Sequence, residues 1–174
     1  FYHGSALALM NRVNGKSVLL ITSQEDSVMR ERPSARLLVI SPAGKVLLFK
    51  FVHTDDALAG SSHWATPGGG LEEGESFRDA AVRELREETG IEVEDVGEPV
   101  GHRRFVMRLP SGEDVIGVEQ YFVVQASSSA LSRDGWSAHE LKVMAAHYWW
   151  SVEELRTTRE TVYPEGLLGM LGVC

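Results

Sequence analysis

The stretch GGLEEGESFRDAAVRELREETGI, residues 69–91, decides how this chain reads. Its second half predicts an amphipathic helix over residues 76–89. Ser76 with Asp79 three positions on fits an N-cap, and Gly90 fits the position just past the helix end. Glu84, Glu87 and Glu88 then stand at i, i+3 and i+4 and share one face. A solvated acidic face on a surface helix is one explanation, since exposed glutamates are the norm. Two details point elsewhere. Arg83 and Arg86 intersperse the carboxylates but sit off their centre line. The helix is also entered through Thr66-Pro67-Gly68-Gly69-Gly70, where glycines let backbone approach a ligand closely. Three carboxylates beside such a loop make a hard-oxygen site of the kind Mg²⁺ or Mn²⁺ prefers.

Working outward, residues 36–41 and 45–52 are apolar runs joined by Ser41-Pro42-Ala43-Gly44, which predicts a hairpin. Residues 54–62 read as a polar loop and 63–74 as irregular and glycine-rich. Beyond the helix, 91–100, 103–109 and 115–125 read as strands, the last two joined by a turn at 110–114. Residues 127–140 read as loop, 147–151 as a short aromatic strand, 151–156 as a helical turn, and 165–171 as a terminal helix after Pro164. Strands with few helices and no βαβ alternation predict an α+β fold with a mixed sheet.

The 174 residues, 43% apolar and 24% charged, suit one folded domain. No internal repeat is visible, and no apolar run approaches the roughly 20 residues of a membrane span. A net charge of −8 makes a poor platform for nucleic acid, so no nucleic-acid or membrane partner is expected. It leaves room for a small anionic substrate if bound cations invert the local field. The single cysteine, Cys174, cannot close an internal disulfide, and the opening has no signal-peptide pattern, so the expected location is cytoplasmic. Residues 1–30 differ from the rest and read as an N-terminal extension, native or appended, in front of a domain over 31–174. Met10 and Met29 are both candidate starts, although residues 17–22 (SVLLIT) have the β-branched content of a strand.

The helix segment resembles the Nudix box of the MutT-like diphosphate hydrolases. Gly69, Glu75, Arg83, Glu84, Leu85, Glu87, Glu88, Gly90 and Ile91 fill every fixed position of that pattern without a gap. At ordinary residue frequencies a chance match is on the order of 10⁻⁹ per starting point. The hairpin at 36–52, Trp64 with Thr66-Pro67-Gly68, and Trp149-Trp150-Ser151 through Leu155 are also similar to the family. The resemblance covers about residues 33–172.

It implies a Nudix fold, a mixed β-sheet sandwiched between α-helices. It further implies Mg²⁺- or Mn²⁺-dependent hydrolysis of a nucleoside diphosphate linked to another moiety. Carried over by position, Glu84, Glu87 and Glu88 are the metal carboxylates, and the backbone carbonyl near Gly68 and Gly69 is a further ligand. Arg83 orients a box carboxylate, Glu75 ties the loop to the helix, and Gly69 and Gly90 are structural. Ala80, Ala81 and Leu85 seat the helix on the sheet. In this family the general base is a box glutamate or one from a later loop. The box candidates are Glu84 and Glu87. The later one is Glu140, in Trp136-Ser137-Ala138-His139-Glu140, for which a plain surface glutamate is the competing explanation. Glu119, inside a strand-like run, is the weaker competitor. His139 could act as a base but equally fits a solvated loop histidine, and His53, His63, His102 and His147 lack ligand spacing. Arg36, Arg103 and Arg104 could hold phosphates or simply end strands.

Three function classes follow. A hydrolase uses all three box carboxylates. A catalytically silent nucleotide-binding or regulatory module of the same fold has no need of them. An isoprenoid diphosphate isomerase of this fold needs a cysteine that Cys174, at the very end, is ill placed to supply. Within hydrolases, the family's markers for reduced nicotinamide and coenzyme A substrates are absent. Pro99 and Pro110 miss the ADP-ribose position, and Tyr121 misses the dinucleoside one. Nucleoside triphosphates, nucleotide sugars and similar derivatives remain, acted on by a monomer or homodimer.

Overall fold

The computed structural model describes residues 8–13, 16–21 and 28–173, with side chains from residue 28 onward. Strands β1 (Ala8–Val13) and β2 (Lys16–Ile21) pair antiparallel as a two-stranded sheet. The strand expected over 17–22 is therefore present as far as Ile21. Thr22 and Cys174 lie outside the described residues.

The main sheet is built on β3 (Glu31–Ile40) and β4 (Val46–Val52). They meet at the turn, where Ile40 faces Val46 and the Ser41 N–H donates to the Lys45 carbonyl at 2.8 Å. The expected hairpin is thus real only at its tip. Beyond it the strands part and each takes new neighbours. β3 runs parallel to β8 (Asp114–Gln125) for ten residues and antiparallel to the short β6 (Gly68–Gly70). β4 pairs antiparallel with β5 (Ser62–Ala65) and with β9 (Met144–Trp150). β7 (Gly101–Arg108) flanks β8, and β10 (Val162–Tyr163) flanks β5.

Period-2 alternation gives the sheet two apolar faces. Leu37, Val39, Leu47 and Phe49 point to one side, where helix α1 (Phe77–Thr89) seats Ala80, Ala81 and Leu85. Leu38, Val46 and Leu48 point to the other, joined by Trp64, Trp150 and Leu167. The last comes from α4 (Leu167–Met170); α3 (Val152–Thr157) lies before it, packing Leu155 on the same side. This is the expected α+β mixed sheet between helices.

Three expectations need correction. Residues 91–100 form no strand. Asp95 caps its own neighbour's backbone, Oδ1 accepting the Val96 N–H at 2.8 Å, and Gly97 turns the chain at φ 73°. The apolar residues there pin an irregular segment to the core instead of feeding a ladder. Residues 63–74 hold most of β5 and all of β6, so they are less irregular than read. Residues 127–140 are not all loop, because α2 (Ala138–Val143) starts inside them on a Ser137/Glu140 capping box. No helix among the described residues is long and apolar enough to cross a membrane.

Candidate active site

Helix α1 is fixed at both ends. Ser76 Oγ accepts the Asp79 N–H, Asp79 Oδ2 accepts the Ser76 N–H, and Gly90 closes the helix at φ 76°. Its buried face carries Glu84 and Glu88, only 7% and 3% exposed, at i and i+4. Glu87, off that line, is half-buried. Three carboxylate oxygens, one each from Glu84, Glu88 and Glu140, lie within 4.8 Å of one another.

Arg83 ties the surrounding loop to the helix. Its Nε and Nη2 donate to the two oxygens of Glu75 at 2.7 and 2.9 Å, and Nη2 also to the Gly70 carbonyl at 3.0 Å. Its Nη1 donates to Glu84 Oε1 at 2.8 Å and Glu87 Oε2 at 3.1 Å. Such forked, charge-assisted bonds fix geometry as well as charge. They hold the Glu75 carboxyl down at about 2 and the Arg83 guanidinium above its ordinary value.

Gly69 passes so close that a Cβ there would stand 2.4 Å from Glu84 Oε1. Gly68 gives its N–H to Glu88 Oε2 at 2.7 Å, while its carbonyl accepts Arg36 Nη1 at 3.1 Å. Gly68 has φ 131°, and a Cβ would fall 2.1 Å from the Ala35 carbonyl oxygen, so only glycine fits between β3 and the carboxylates.

Glu140 arrives by a docked segment. The Ser132 N–H donates to the Thr89 carbonyl at 2.9 Å, and Trp136 Nε1 donates to the Glu88 carbonyl at 2.8 Å. Gly135 crosses so tightly that a Cβ would meet the Glu87 carbonyl oxygen at 2.5 Å. Residue 140 then falls at the third position of α2, where its Oε2 accepts the Ser137 N–H at 2.6 Å. Glu140 therefore sits on a capped helix start, not on the flexible loop its neighbours suggested.

Burial pushes the Glu84 carboxyl up; the Arg83 guanidinium pulls it back, while Glu87 and Glu140 push it further. Burial and then Glu84 push Glu88 well above the ordinary carboxylate range, against the Gly68 N–H and Arg36. Converging buried carboxylates that repel one another are the donor set a hard divalent cation fits.

Arg36, which bonds the Gly68 carbonyl, also lines a cavity of about 490 Å³, with Arg103, Phe105, Glu119, Tyr121 and His63 among its other walls. Glu119, 5% exposed, accepts Arg36 Nε at 2.9 Å and the Tyr121 hydroxyl. Burial, then the Glu119 charge, raises Tyr121 above its ordinary value, which keeps the hydroxyl a donor. The Arg103 guanidinium stacks 4.6 Å over the Phe105 ring. Arg104, on the opposite side of β7, instead pairs with Glu31 and is more than half exposed. Of the histidines, His63 lines the cavity, His53 holds Asp56 Oδ2 at 2.7 Å, and His147 packs edge-on to Phe49.

Glu84, Glu88 and Glu140 are thus brought together, with Glu87 tied to Arg83 at their edge. Arg36 and Arg103 share the cavity and Arg104 does not. Sequence reasoning missed the Arg36–Glu119–Tyr121 network and the Trp136 anchor, for which the chain carries no local signal.

The NUDIX domain family model matches residues 30–167. An RNA pyrophosphohydrolase of Halorhodospira halophila is 30% identical over 152 residues, which is 81% of this chain and 80% of that one. Nudix hydrolase 27, chloroplastic, of Arabidopsis thaliana is 40% identical over 60 residues, 34% of this chain. That alignment spans only 24% of the Arabidopsis protein, and most of the other curated relatives are likewise matched over well under two-thirds of their length. Among solved structures, the E. coli ORF135 protein is 27% identical with a TM-score of 0.55, covering 82% of this chain and 88% of that one. The MutT NUDIX hydrolase of Burkholderia pseudomallei has a TM-score of 0.58 at 21% identity over 83% of this chain and 99% of that one, a likeness of fold. The chain belongs to the Nudix hydrolase family.

Proposed function

We propose that this protein hydrolyses a diphosphate linkage in a nucleoside diphosphate derivative, such as a nucleoside triphosphate or nucleotide sugar, using Mg²⁺ or Mn²⁺. The observation that carries the reading is the convergence of the buried Glu84 and Glu88 with Glu140, linked through Gly68 and Arg36 to a cavity of about 490 Å³. A cation held there supplies charge neutralisation of the diphosphate and a water of lowered pKa. Glu84 and Glu88 are its principal ligands, with Glu87 adding charge from the edge; the Gly68 carbonyl remains a candidate ligand although Arg36 already bonds it. Glu140 is the proposed proton acceptor for the attacking water, with Glu84 and Glu87 as the box alternatives. Arg103, stacked on Phe105, is the cation placed to meet substrate, whereas Arg104 is committed to Glu31. The reacting domain is residues 31–174.

A catalytically silent binding module would have no use for carboxylates held this close against their own repulsion. A second reading rests on the relatives named RNA pyrophosphohydrolase: the diphosphate could belong to the 5′-triphosphate end of an RNA. The acidic balance of the chain favours the small nucleotide. A panel of nucleoside triphosphates, nucleotide sugars and a 5′-triphosphorylated oligoribonucleotide, each with Mg²⁺ and with products resolved by chromatography, separates these substrates. Glu88→Gln should abolish turnover of whichever is cleaved while leaving the melting temperature near that of the parent. Parent-level turnover in that variant overturns the metal-site assignment.

A further inference from the structure

The bonds that fix Glu88 run back to the cavity through one continuous chain. Tyr121 donates its hydroxyl to Glu119 Oε2. Arg36 donates from Nε to Glu119 Oε1 at 2.9 Å and from Nη1 to the Gly68 carbonyl at 3.1 Å. Gly68 donates its N–H to Glu88 Oε2 at 2.7 Å. Arg36 also stands opposite Gly68 in the β3–β6 register, so the same residue grips Gly68 through backbone pairing and side chain.

Each link matters physically. Glu88 faces Glu84 across a short gap, and repulsion favours rotation of its carboxylate away. The Gly68 N–H opposes that rotation by holding one oxygen. Gly68 in turn has little freedom, wedged against the Ala35 carbonyl. Arg36 sets where the Gly68 carbonyl sits. Glu119 compensates the buried guanidinium on the cavity side, and the Tyr121 donor satisfies the second Glu119 oxygen, as a buried carboxylate requires.

We infer that Arg36 is a positioning residue for Glu88, acting through Gly68 and held from the cavity side by Glu119 and Tyr121. This rests on Glu88 being a metal ligand. The competing role, a grip on the substrate's phosphates, fits less well because Nε and Nη1 are already committed within the protein. The cavity wall and the metal carboxylates therefore share one hydrogen-bonded support.

The test is Mn²⁺ titration calorimetry without nucleotide, paired with kcat and KM on the best substrate. Partners that orient a metal ligand typically contribute about 10- to 100-fold in metal affinity. Arg36→Gln should weaken Mn²⁺ by about that factor and lower kcat, with KM within about twofold of the parent. Arg36→Gln alone leaves the Glu119 charge buried and unpaired, which destabilises strongly. The double variant Arg36→Gln/Glu119→Gln removes both charges and should show the same Mn²⁺ loss in a folded protein. Tyr121→Phe should move Mn²⁺ affinity in the same direction by a smaller factor. Parent Mn²⁺ affinity with a raised KM in the folded double variant would overturn the inference and make Arg36 a substrate contact, leaving the metal site intact. Parent Mn²⁺ affinity in Glu88→Gln would overturn the metal site, and the positioning role with it.

Discussion

Replacing Gly69 by alanine perturbs the proposed metal carboxylates through geometry alone. The new Cβ would stand 2.4 Å from Glu84 Oε1 and 2.8 Å from Cδ, whereas ordinary contact starts at 3.4 Å. The carboxylate must therefore retreat by about 1 Å, a misplacement that costs on the order of 10²-fold where reacting geometry is tight. Arg83 Nη1, bonded to the same oxygen at 2.8 Å, resists that retreat. Gly69 does not have a positive φ, so alanine adopts its backbone without strain. What yields is the tip of a side chain, and the fold should be spared. Gly69→Ala is expected to melt within about 3 °C of the parent. It should bind Mn²⁺ roughly 10- to 100-fold more weakly by calorimetry and lose about 10²-fold in kcat. Gly68→Ala is the contrast, because its Cβ meets backbone at 2.1 Å and its φ is 131°, so that variant should lose stability as well. Parent Mn²⁺ affinity and parent turnover in Gly69→Ala would refute the reasoning, by showing that Glu84 is not a ligand or that the site tolerates an ångström of slack.

Glu140→Gln keeps an oxygen for the Ser137 N–H but no longer takes a proton, so kcat should fall about 10²- to 10⁴-fold with KM and melting temperature little changed; a fall under about fivefold returns the base to Glu84 or Glu87. Glu75, held at about 2 by Arg83 against an ordinary 4.5, stabilises the fold fully above pH 4.5 and loses that contribution as pH falls towards 2. Glu75→Gln should therefore melt below the parent at neutral pH, with the gap closing as the metal-free proteins are acidified; a gap constant with pH excludes the Glu75–Arg83 pair as its cause. A chain starting at Met29 should fold and keep full activity, checked by melting and turnover; a chain that then fails to fold would mean that residues 1–28 belong to the reacting domain.

The box was legible because its chemistry is local. A helix period, a capping pair and three spaced carboxylates are all readable within 23 residues. The sheet was legible wherever strands follow one another, as at β7 and β8. It failed at residues 91–100, where Val96 and its apolar neighbours look like a strand but the Ile91 and Val96 N–H groups go to the side chains of Thr89 and Asp95. It failed again at α2, although Ser137 followed three residues later by Glu140 is the same capping signature read correctly at Ser76 and Asp79. Glu140 joins Glu84 and Glu88 only because Ser132, Gly135 and Trp136 dock on the end of α1, a contact between distant parts of the chain. Arg36 and Glu119 are 83 positions apart, and nothing short of the parallel β3–β8 register brings them within a hydrogen bond.

The carboxylates and the rim of the cavity occupy different pieces of chain. The carboxylates ride on α1 and α2, whereas the cavity's rim takes Leu58 and Ser61 from the segment after β4, Met107 and Arg108 from the end of β7, Tyr163 from β10 and Pro164 just after it. These are loops and strand ends, where sequence drifts most freely. A lineage carrying this scaffold can thus vary that rim while the carboxylates stay in place. The same division offers an engineering route: exchanging residues 53–61 and 107–113 for those of a relative should transplant preference without rebuilding catalysis.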